Sequence, residues 1–473
     1  MLFNSIVFLF AFLPLLLLLY YITPKKFRNY TLLLFSLIFY AWGGVSYSLI
    51  LIGSILINYI FVKQIEKNLS TKKTWLIIGL TVNVLIIVFF KYLDFILYNI
   101  NVLGYAYSTD FPSIPYQNIV LPLGISFFTF QQMSLLWDVY RNEHTQKTTL
   151  PNIALYISLF PQLIAGPIVR YNDIVDQIKS RISTVQLFRS GVQRFVLGLF
   201  KKVIIANTCG ELADMIFVSP IDTLGTSAAW LGVIAYTFQI YFDFSGYSDM
   251  AIGLGRMFGF RILENFNFPY ISKSIQEFWR RWHISLSTWF RDYVYIPLGG
   301  NRNGPYKTYF NLITVFFLTG IWHGATWSFV VWGLFHGLFL IIERLGFQSI
   351  LKRLPSAIQW LYTIIVVMVG WVLFRVEALP DALAYIGKLF SFEQLNSSSF
   401  LSYLNNEKII ILILAVLSSS LFFVKIKAFL DKRNYTSTLV VQSVLDLGVV
   451  LLLLVSIIYI NSGSYSPFIY FRF

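Results

Sequence analysis

The sequence predicts an all-α polytopic membrane protein with about eleven transmembrane helices plus re-entrant and interfacial helices, since the apolar residues gather into runs near bilayer length. Composition supports this fold class. Of the 473 residues, 57% are hydrophobic and only 12% are charged, whereas roughly 25% of the residues in a soluble domain are charged. We therefore expect a single membrane domain over residues 1–473, with its core at about 118–345, and no soluble domain.

The predicted spans follow one another along the chain. Apolar runs lie at about 2–21, 29–43, 47–62, 75–98, 186–206, 228–242, 308–323, 327–343, 357–376, 408–424 and 437–460, with less regular stretches at 118–137 and 150–168. The first run has no basic segment before it and no small-residue cleavage site after it. We interpret it as a retained helix and not as a signal peptide.

Basic residues predict the orientation of the chain. The loops 22–28 and 63–74 are rich in Lys and Arg, whereas the loop 99–118 has neither. Because cytoplasmic loops carry the excess of Lys and Arg, the first two loops are predicted to be cytoplasmic and the third external. Lys and Arg clusters at 352–353 and 425–433 mark further inner loops. The tail 461–473 is then extracytoplasmic, in a multi-pass membrane protein.

The net charge of +14 is expected to face anionic membrane lipid at these loops. We expect no nucleic-acid partner. A single cysteine, Cys209, excludes an internal disulfide and a cysteine zinc site. The sequence also has no Gly-rich phosphate loop, no HExxH pair and no GxSxG elbow. We therefore predict no bound metal or cofactor and no soluble serine-hydrolase domain.

Two segments in the middle of the chain are unusual for lipid-facing helices. The segment 121–140 begins with Pro122 and Gly124, and the segment 241–260 combines two aspartates and two serines with several glycines. Irregular backbone at membrane depth survives only where protein or water covers it. We expect broken or re-entrant helices that line a cavity. A short surface loop between ordinary spans is the alternative.

The segment 278–293, "FWRRWHISLSTWFRDY", is predicted to form one amphipathic helix. At 100° per residue one face carries the aromatic residues, and the other carries Arg280, His283, Ser287 and Arg291. Three arginines near a bilayer centre would cost several kcal/mol, so the helix is not a span. It either lies flat at the interface among lipid phosphates or lines an aqueous funnel that admits a phosphate-bearing donor.

Four histidines are present, and His323 is the strongest catalytic candidate. It lies within the apolar segment "FFLTGIWHGATWSFVVWGLFHG", at a depth where ionisable residues are usually functional. A lone buried imidazole suits general base catalysis, although a neutral core histidine bonded to a carbonyl is the alternative. We interpret His336 as structural and His144 as a loop residue.

Long strings of the sequence resemble the membrane-bound O-acyltransferase family, in its alginate O-acetylase-like bacterial branch. The resemblance covers nearly the whole chain. Its most specific parts are "LPLGISFFTFQQMSLLWDVYR", "YFDFSGYSDMAIGLGRMFGF", "ENFNFPYISKSIQEFWRRWHISLSTWFRDYVYIPLGGNR" and "LTGIWHGATWSFVVWGLFHG". It implies helices around a central tunnel, with the family histidine at His323 and the second polar position at His283. Many eukaryotic members carry Asn there, so the histidine favours the bacterial polysaccharide branch.

The resemblance also implies a mechanism. Acetyl-CoA, or an acyl-phosphopantetheine carrier, is the expected cytosolic donor, and His323 would deprotonate the attacking hydroxyl. His283 would position the donor or stabilise oxyanion charge. The expected donor-binding residues are Arg280, Arg281, Arg291, Ser287 and Trp322, with Lys201 and Lys202 as further candidates.

The acetyl group is expected to reach an alginate-like exopolysaccharide, peptidoglycan or cellulose through an extracytoplasmic partner of the SGNH type. Tyr470 in the terminal "SPFIYFRF" is a candidate acyl relay, and simple aromatic anchoring at the interface is the alternative. Three other interpretations stay open. One is transfer of D-alanine from a carrier protein to teichoic acid. The others are a transporter, which should show repeat symmetry that the sequence lacks, and a purely structural scaffold.

Overall fold

The structure, a computed structural model, describes residues 1–141, 148–392, 398–432, 439–463 and 469. Within these ranges the secondary structure is helical, and no strand is present. The chain divides into two compact units. The first comprises Met1–Ser183, Gly259–Ile262 and Trp322–Thr326, and the second comprises Thr184–Phe258, Leu263–Ile321 and Trp327–Phe473. The predicted all-α fold is confirmed.

The first unit contains nine α-helices within its described residues. They are α1 (Leu13–Ile22), α2 (Arg28–Ala41), α3 (Val45–Lys67), α4 (Lys72–Ile87), α5 (Leu93–Tyr107), α6 (Ile125–Arg141), α7 (Leu150–Ser158), α8 (Phe160–Leu163) and α9 (Tyr171–Lys179). A π-helical turn, Val88–Tyr92, joins α4 to α5.

The core of the first unit combines aromatic rings with paired amides. The rings of Phe8, Phe39 and Phe160 pack with centroids 5.4–6.2 Å apart. Between α3 and α4, the buried amides of Asn58 and Asn83 bond to each other at 2.8 and 3.2 Å. A buried amide that lacked a partner would cost free energy, so this pairing fixes α3 against α4.

The second unit holds the remaining helices. They are α10 (Val185–Phe200), α11 (Asn207–Phe217), α12 (Thr226–Met257), α13 (Ile275–Arg281), α14 (Ile284–Phe290), α15 (Gly304–His323, whose last two residues belong to the first unit), α16 (Trp327–Ile342), α17 (Gln348–Leu351), α18 (Ser356–Arg375), α19 (Leu379–Leu389), α20 (Asn406–Ser419), α21 (Phe422–Lys432) and α22 (Leu439–Asn461). π-helical turns follow α10, α14 and α16 at Lys201–Ala206, Arg291–Tyr295 and Glu343–Phe347.

Five helical stretches among the described residues are long and apolar enough to cross a membrane. They are Val45–Lys67, Lys72–Tyr107, Trp327–Leu351, Ser356–Arg375 and Val441–Asn461. A sixth arises if α20 and the following Phe422–Leu430, bent by 61°, count as one span. The predicted count of about eleven is not confirmed, because several predicted runs form shorter helices. α2, for example, has 14 residues, against the ~20 that a perpendicular span needs.

The expected breaks within the helices of 121–140 and 241–260 are wrong, whereas the re-entrant alternative stays a prediction. Pro122 and Gly124 precede an unbroken α6, and Gly124 takes a φ of +74° at the turn before it. The segment 241–257 continues the 32-residue α12 without interruption, and nearly all of α12 is buried. Protein covers both segments, which is why polar and small residues are tolerated there.

The glycines of α12 serve a close approach to α10. A Cβ added at Gly246 would lie 2.7 Å from the carbonyl oxygen of Gly198, and one at Gly198 would lie 2.5 Å from the oxygen of Gly246. Gly191 and Gly253 repeat this arrangement one heptad away, at 2.7 and 2.6 Å. Small residues let helix backbones meet this closely in membrane proteins. The glycines therefore join the two helices and do not interrupt α12.

We expect Gly246→Ala to lower the free energy of unfolding by about 1–3 kcal/mol, because the new methyl group meets a backbone oxygen that cannot turn away. Thermal unfolding of the purified protein in detergent measures the effect. The matched control is Gly53→Ala in α3, where a Cβ would meet no atom within 4 Å. Equal melting temperatures for the two variants would contradict this account of the α10–α12 contact.

Candidate active site

The segment 278–293 is two helices and not one, so the predicted continuous amphipathic helix is wrong. α13 ends at Arg281, Trp282 is extended, and α14 begins at Ile284. Between them His283 adopts φ +45° and ψ +55°, the left-handed conformation. That conformation is uncommon outside glycine and costs free energy, so the surrounding structure must hold it.

Backbone hydrogen bonds to the segment 265–267 hold this break. The amide of Asn267 donates to the carbonyl of Arg281, and the amide of Ile284 donates to the carbonyl of Asn265, each at 2.9 Å. The Arg281 guanidinium adds a bond of 3.0 Å to the Asn267 carbonyl. The carbonyl of Arg281 and the amide N–H of Ile284, which flank the break, are thus satisfied, and this stabilises the strained conformation of His283.

Glu343, at the end of α16, anchors the start of α13. Its buried carboxylate accepts hydrogen bonds from the amides of Ile275 at 2.6 Å and Gln276 at 3.0 Å. These are amides of the first turn of a helix, which lack partners within the helix. Glu343 therefore determines where the pair of arginines at the other end of α13 projects.

His283 is buried, contrary to its predicted place on the polar face, because the break turns it away from Arg280 and Arg291. Its side chain is 1% exposed. Nδ1 lies 3.2 Å from Oδ1 of Asn265, and the ring stands edge-on to Phe244 at 4.6 Å. Burial lowers the pKa of His283 to about 3, so the imidazole is neutral at physiological pH.

Two cavities in the second unit meet at Arg280. The basic cavity, of about 600 Å³, is lined by Lys273, Arg280, Arg281 and Lys352 among others. The aromatic cavity, of about 490 Å³, is lined by Trp279, Phe316 and other apolar residues together with Arg280, Ser287 and Arg291. The structure thus brings the three predicted arginines and Ser287 to two adjoining cavities.

The three arginines differ in their partners. Arg281 pairs with Glu277 at 2.9 Å, and Arg291 pairs with Asp292 at 2.7 Å. Arg280 is exposed, and no ion pair involves it within the described part of the chain. Arg280 therefore has the charge most available to an anionic ligand.

His323 is the last residue of α15, about 30 Å along the helix from Gly304. It is 5% exposed. The ammonium group of Lys91 donates to the carbonyl oxygen of Trp322 at 2.6 Å and to that of His323 at 3.3 Å. A cation that bonds the terminal carbonyls of a helix also complements the negative end of its dipole.

Two aromatic rings of α6 pack against the neighbouring Trp322. Phe130 stacks on it at 5.4 Å, and Phe127 meets it edge-on at 5.7 Å. The His323 ring lies 4.8 Å from the Trp322 ring. Together with Lys91, these contacts fix the end of α15 and hence the position of the imidazole.

Lys201 and Lys202 are engaged by carboxylates of α12. Lys202 pairs with Asp243 at 2.5 Å, and both side chains are at most 3% exposed. Lys201 pairs with Asp249 at 2.7 Å. Asp243 also accepts a hydrogen bond of 2.8 Å from the backbone amide of Ile469, a buried residue of the tail. Each lysine thus has a carboxylate partner in α12, and Lys202 is buried in the interior of the second unit.

Two of the predicted residues, Tyr470 and His144, lie outside the described part of the chain.

His336 is fully buried, with its ring edge-on to those of Trp279 and Trp332 at 5.0 and 5.2 Å. Among the described residues, no group of three or more His, Cys, Asp or Glu side chains could hold a metal ion.

Comparison with known proteins identifies the family of this chain. The model of the membrane-bound O-acyltransferase family matches residues 139–379, slightly more than half of the chain. A probable alginate O-acetylase of Pseudomonas putida is 43% identical over the whole of both chains. The chain belongs to the membrane-bound O-acyltransferase family. His283, His323 and the three arginines of the candidate site all lie within the matched segment.

Two further relatives of this acyltransferase differ in their acceptors. The peptidoglycan O-acetyltransferase of Helicobacter pylori is 36% identical over 100% of this chain and 98% of its own. The teichoic acid D-alanyltransferase of Bacillus subtilis is 31% identical, but over only 48% of this chain and 60% of its own. The similarity to O-acetyltransferases is therefore both higher and more extensive.

Sequence reasoning missed three residues that contact or orient the predicted ones. Lys91 could have been identified from the sequence, because it is a lone lysine within the apolar run 75–98. Placing a basic residue at membrane depth costs free energy, so such residues usually have a function. Glu343 had a weaker signal, at the end of an apolar run. Asn265 had none, because an asparagine in a loop is unremarkable until its partners are known.

We expect Lys91→Met to lower the free energy of unfolding by about 1.5–3 kcal/mol, because it removes charge-assisted hydrogen bonds to the end of α15. Thermal unfolding in detergent measures it. The control is Lys73→Met, an exposed lysine of α4. If both variants melt at the same temperature, Lys91 does not hold the His323 end of the helix.

Proposed function

We propose that this acyltransferase moves an acetyl group from a cytosolic thioester to hydroxyl groups of an extracytoplasmic polysaccharide. The observation that carries the proposal is similarity along the full chain to two O-acetyltransferases, at 43% and 36% identity. An alginate-like exopolysaccharide or peptidoglycan is the proposed class of acceptor. The protein would act as a multi-pass enzyme of the bacterial inner membrane.

His323 is proposed as the general base. The acceptor hydroxyl attacks the thioester carbonyl and gives its proton to the imidazole. The carbon–sulfur bond then breaks, and the thiolate takes up the proton as it leaves. Support comes from the buried position of His323 and from the contacts of Lys91 and Trp322, which hold the end of α15. General base catalysis contributes roughly 10²–10⁴-fold in rate.

Acetyl-CoA is the proposed donor, and the basic cavity is proposed to receive its phosphates. Arg280 is the best placed side chain, since it lines both cavities and is exposed. The aromatic cavity would take the uncharged pantetheine arm, with Ser287 as a polar contact. Arg281 and Arg291 would add positive charge, although each already has a carboxylate partner.

Tyr470 is proposed as an acyl relay. Its hydroxyl would take the acetyl group from the thioester, and an extracytoplasmic SGNH-type partner would take it from the resulting ester to the glycan. The burial of the tail residue Ile469 in the second unit supports a role for the tail in the function of the protein.

Transfer of D-alanine from a carrier protein is the second candidate function. The D-alanyltransferase relative shares the thioester chemistry, but its similarity covers less than half of this chain. The extent of similarity therefore favours acetyl transfer.

The first experiment tests the proposed donor and the proposed general base. We expect purified wild-type protein to release labelled acetate from acetyl-CoA, and His323→Ala to reduce this rate by roughly 10²–10⁴-fold while it keeps its melting temperature. His336→Ala is unsuitable as a control because that ring is packed in the core. Turnover with a charged carrier protein but not with acetyl-CoA would favour D-alanyl transfer, and equal rates in both proteins would exclude His323 as the base.

A second experiment tests the relay. We expect Tyr470→Phe, which removes only the hydroxyl, to abolish acetylation of the glycan and the labelling of the terminal peptide. Deletion of residues 466–473 should have the same effect. Glycan acetylation that persists in Tyr470→Phe would exclude the relay and leave the tail with an anchoring role.

A further inference from the structure

The side chain of Asn265 gathers three donors at one oxygen. Oδ1 lies 2.8 Å from Oγ of Ser285, 3.2 Å from the backbone nitrogen of Ser285 and 3.2 Å from Nδ1 of His283. On the other side of the amide, Nδ2 lies 3.2 Å from Oγ of Ser248 in α12. All four residues are at least nine-tenths buried.

The orientation of this amide follows from the backbone. The backbone N–H of Ser285 can only donate a hydrogen bond, so the atom of the Asn265 side-chain amide that faces it must be the oxygen. The opposite orientation would set two donors against each other at 3.2 Å. The assignment thus rests on a main-chain N–H, the one partner here that has no alternative state.

This orientation determines which nitrogen of His283 carries hydrogen. Nδ1 faces the Asn265 oxygen, which can only accept. The other neighbour of Nδ1 is Oγ of Ser285 at 3.4 Å, which gives its hydrogen to the Asn265 oxygen at 2.8 Å, so Nδ1 is the donor. Because burial keeps the ring neutral, Nε2 then has no hydrogen and presents a lone pair. A nitrogen in this state accepts a hydrogen bond and cannot donate one to an oxyanion.

We propose that Asn265 is a positioning residue that fixes His283 in the Nδ1–H tautomer, so that Nε2 can only accept a hydrogen bond. The expected consequence for the rate of acetyl transfer rests on the proposed function. It revises the sequence-based expectation that His283 stabilises an oxyanion, because that role needs a donor at Nε2.

The tautomer can be measured without an assay of activity. The chain has four histidines, so labelling with ¹⁵N-histidine gives few ring signals, and His283→Gln assigns the one of interest. We expect a protonated Nδ1 and an unprotonated Nε2 in the wild-type protein. A protonated Nε2 would overturn the proposal, whether or not the protein transfers acetyl groups.

Variants of Asn265 test the positioning role. Asn265→Ala removes the acceptor, so we expect the Nδ1–H preference to disappear and the rate of acetyl transfer to fall by roughly 10²-fold or more. Asn265→Asp keeps an acceptor and should keep the tautomer. Its negative charge stabilises the imidazolium ion, so the low-pH limb of the rate profile should move to higher pH.

The control is Asn68→Ala, between α3 and α4, which should change neither the ring signals nor the pH profile. A purely structural role for Asn265 would lower the rate in both Asn265 variants without shifting the pH profile of Asn265→Asp. That result would overturn the positioning role. If the wild-type protein transfers no acetyl group, the proposed function fails, and the ring signals still decide the tautomer.

Discussion

The break between α13 and α14 depends on Asn265. Its backbone carbonyl and its side chain both accept hydrogen bonds from the first residues of α14. The backbone carbonyl accepts from Ile284, and Oδ1 accepts from Ser285. Without these bonds the left-handed conformation of His283 would be held only by the bonds between Arg281 and Asn267, and its cost in free energy would be less fully offset. The burial of His283, its ring state and the positions of the flanking arginines all follow from this junction.

A second consequence concerns charge. The break separates the buried imidazole from the exposed Arg280 and Arg291, although the three lie within twelve positions of the sequence. A phosphate-bearing ligand can thus be held by cations in water, where little desolvation is required, while the histidine stays in surroundings that keep it neutral. The segment 280–291 therefore places Arg280 and Arg291 in water and His283 in the protein interior, because the helix breaks at His283.

Most helix positions were predictable, because a run of apolar residues near bilayer length has few alternatives to a helix. The spans predicted at 47–62 and 357–376 are observed as Val45–Lys67 and Ser356–Arg375. The interior glycines were not interpretable in the same way. A glycine either interrupts a helix or permits close packing, and only the partner decides, here Gly198 for Gly246.

The residues of the candidate site stood out in the sequence, but their geometry could not be predicted. His323 and the arginines stood out because charged or ionisable side chains are rare in so apolar a chain. The break at His283 could not be predicted from the sequence, since aromatic residues keep a helical spacing on both sides of it. The partners of His283 come from segments whose proximity no local pattern encodes.

The bond between Asp243 and Ile469 joins residues 226 positions apart in the chain. Because synthesis runs from the N-terminus, α12 and Lys202 are made long before residue 469 leaves the ribosome. The Lys202–Asp243 pair can therefore form before the backbone amide of Ile469 reaches this carboxylate. Docking of the tail is thus a late event in biogenesis, and a nascent chain that stops short of it leaves this carboxylate incompletely bonded.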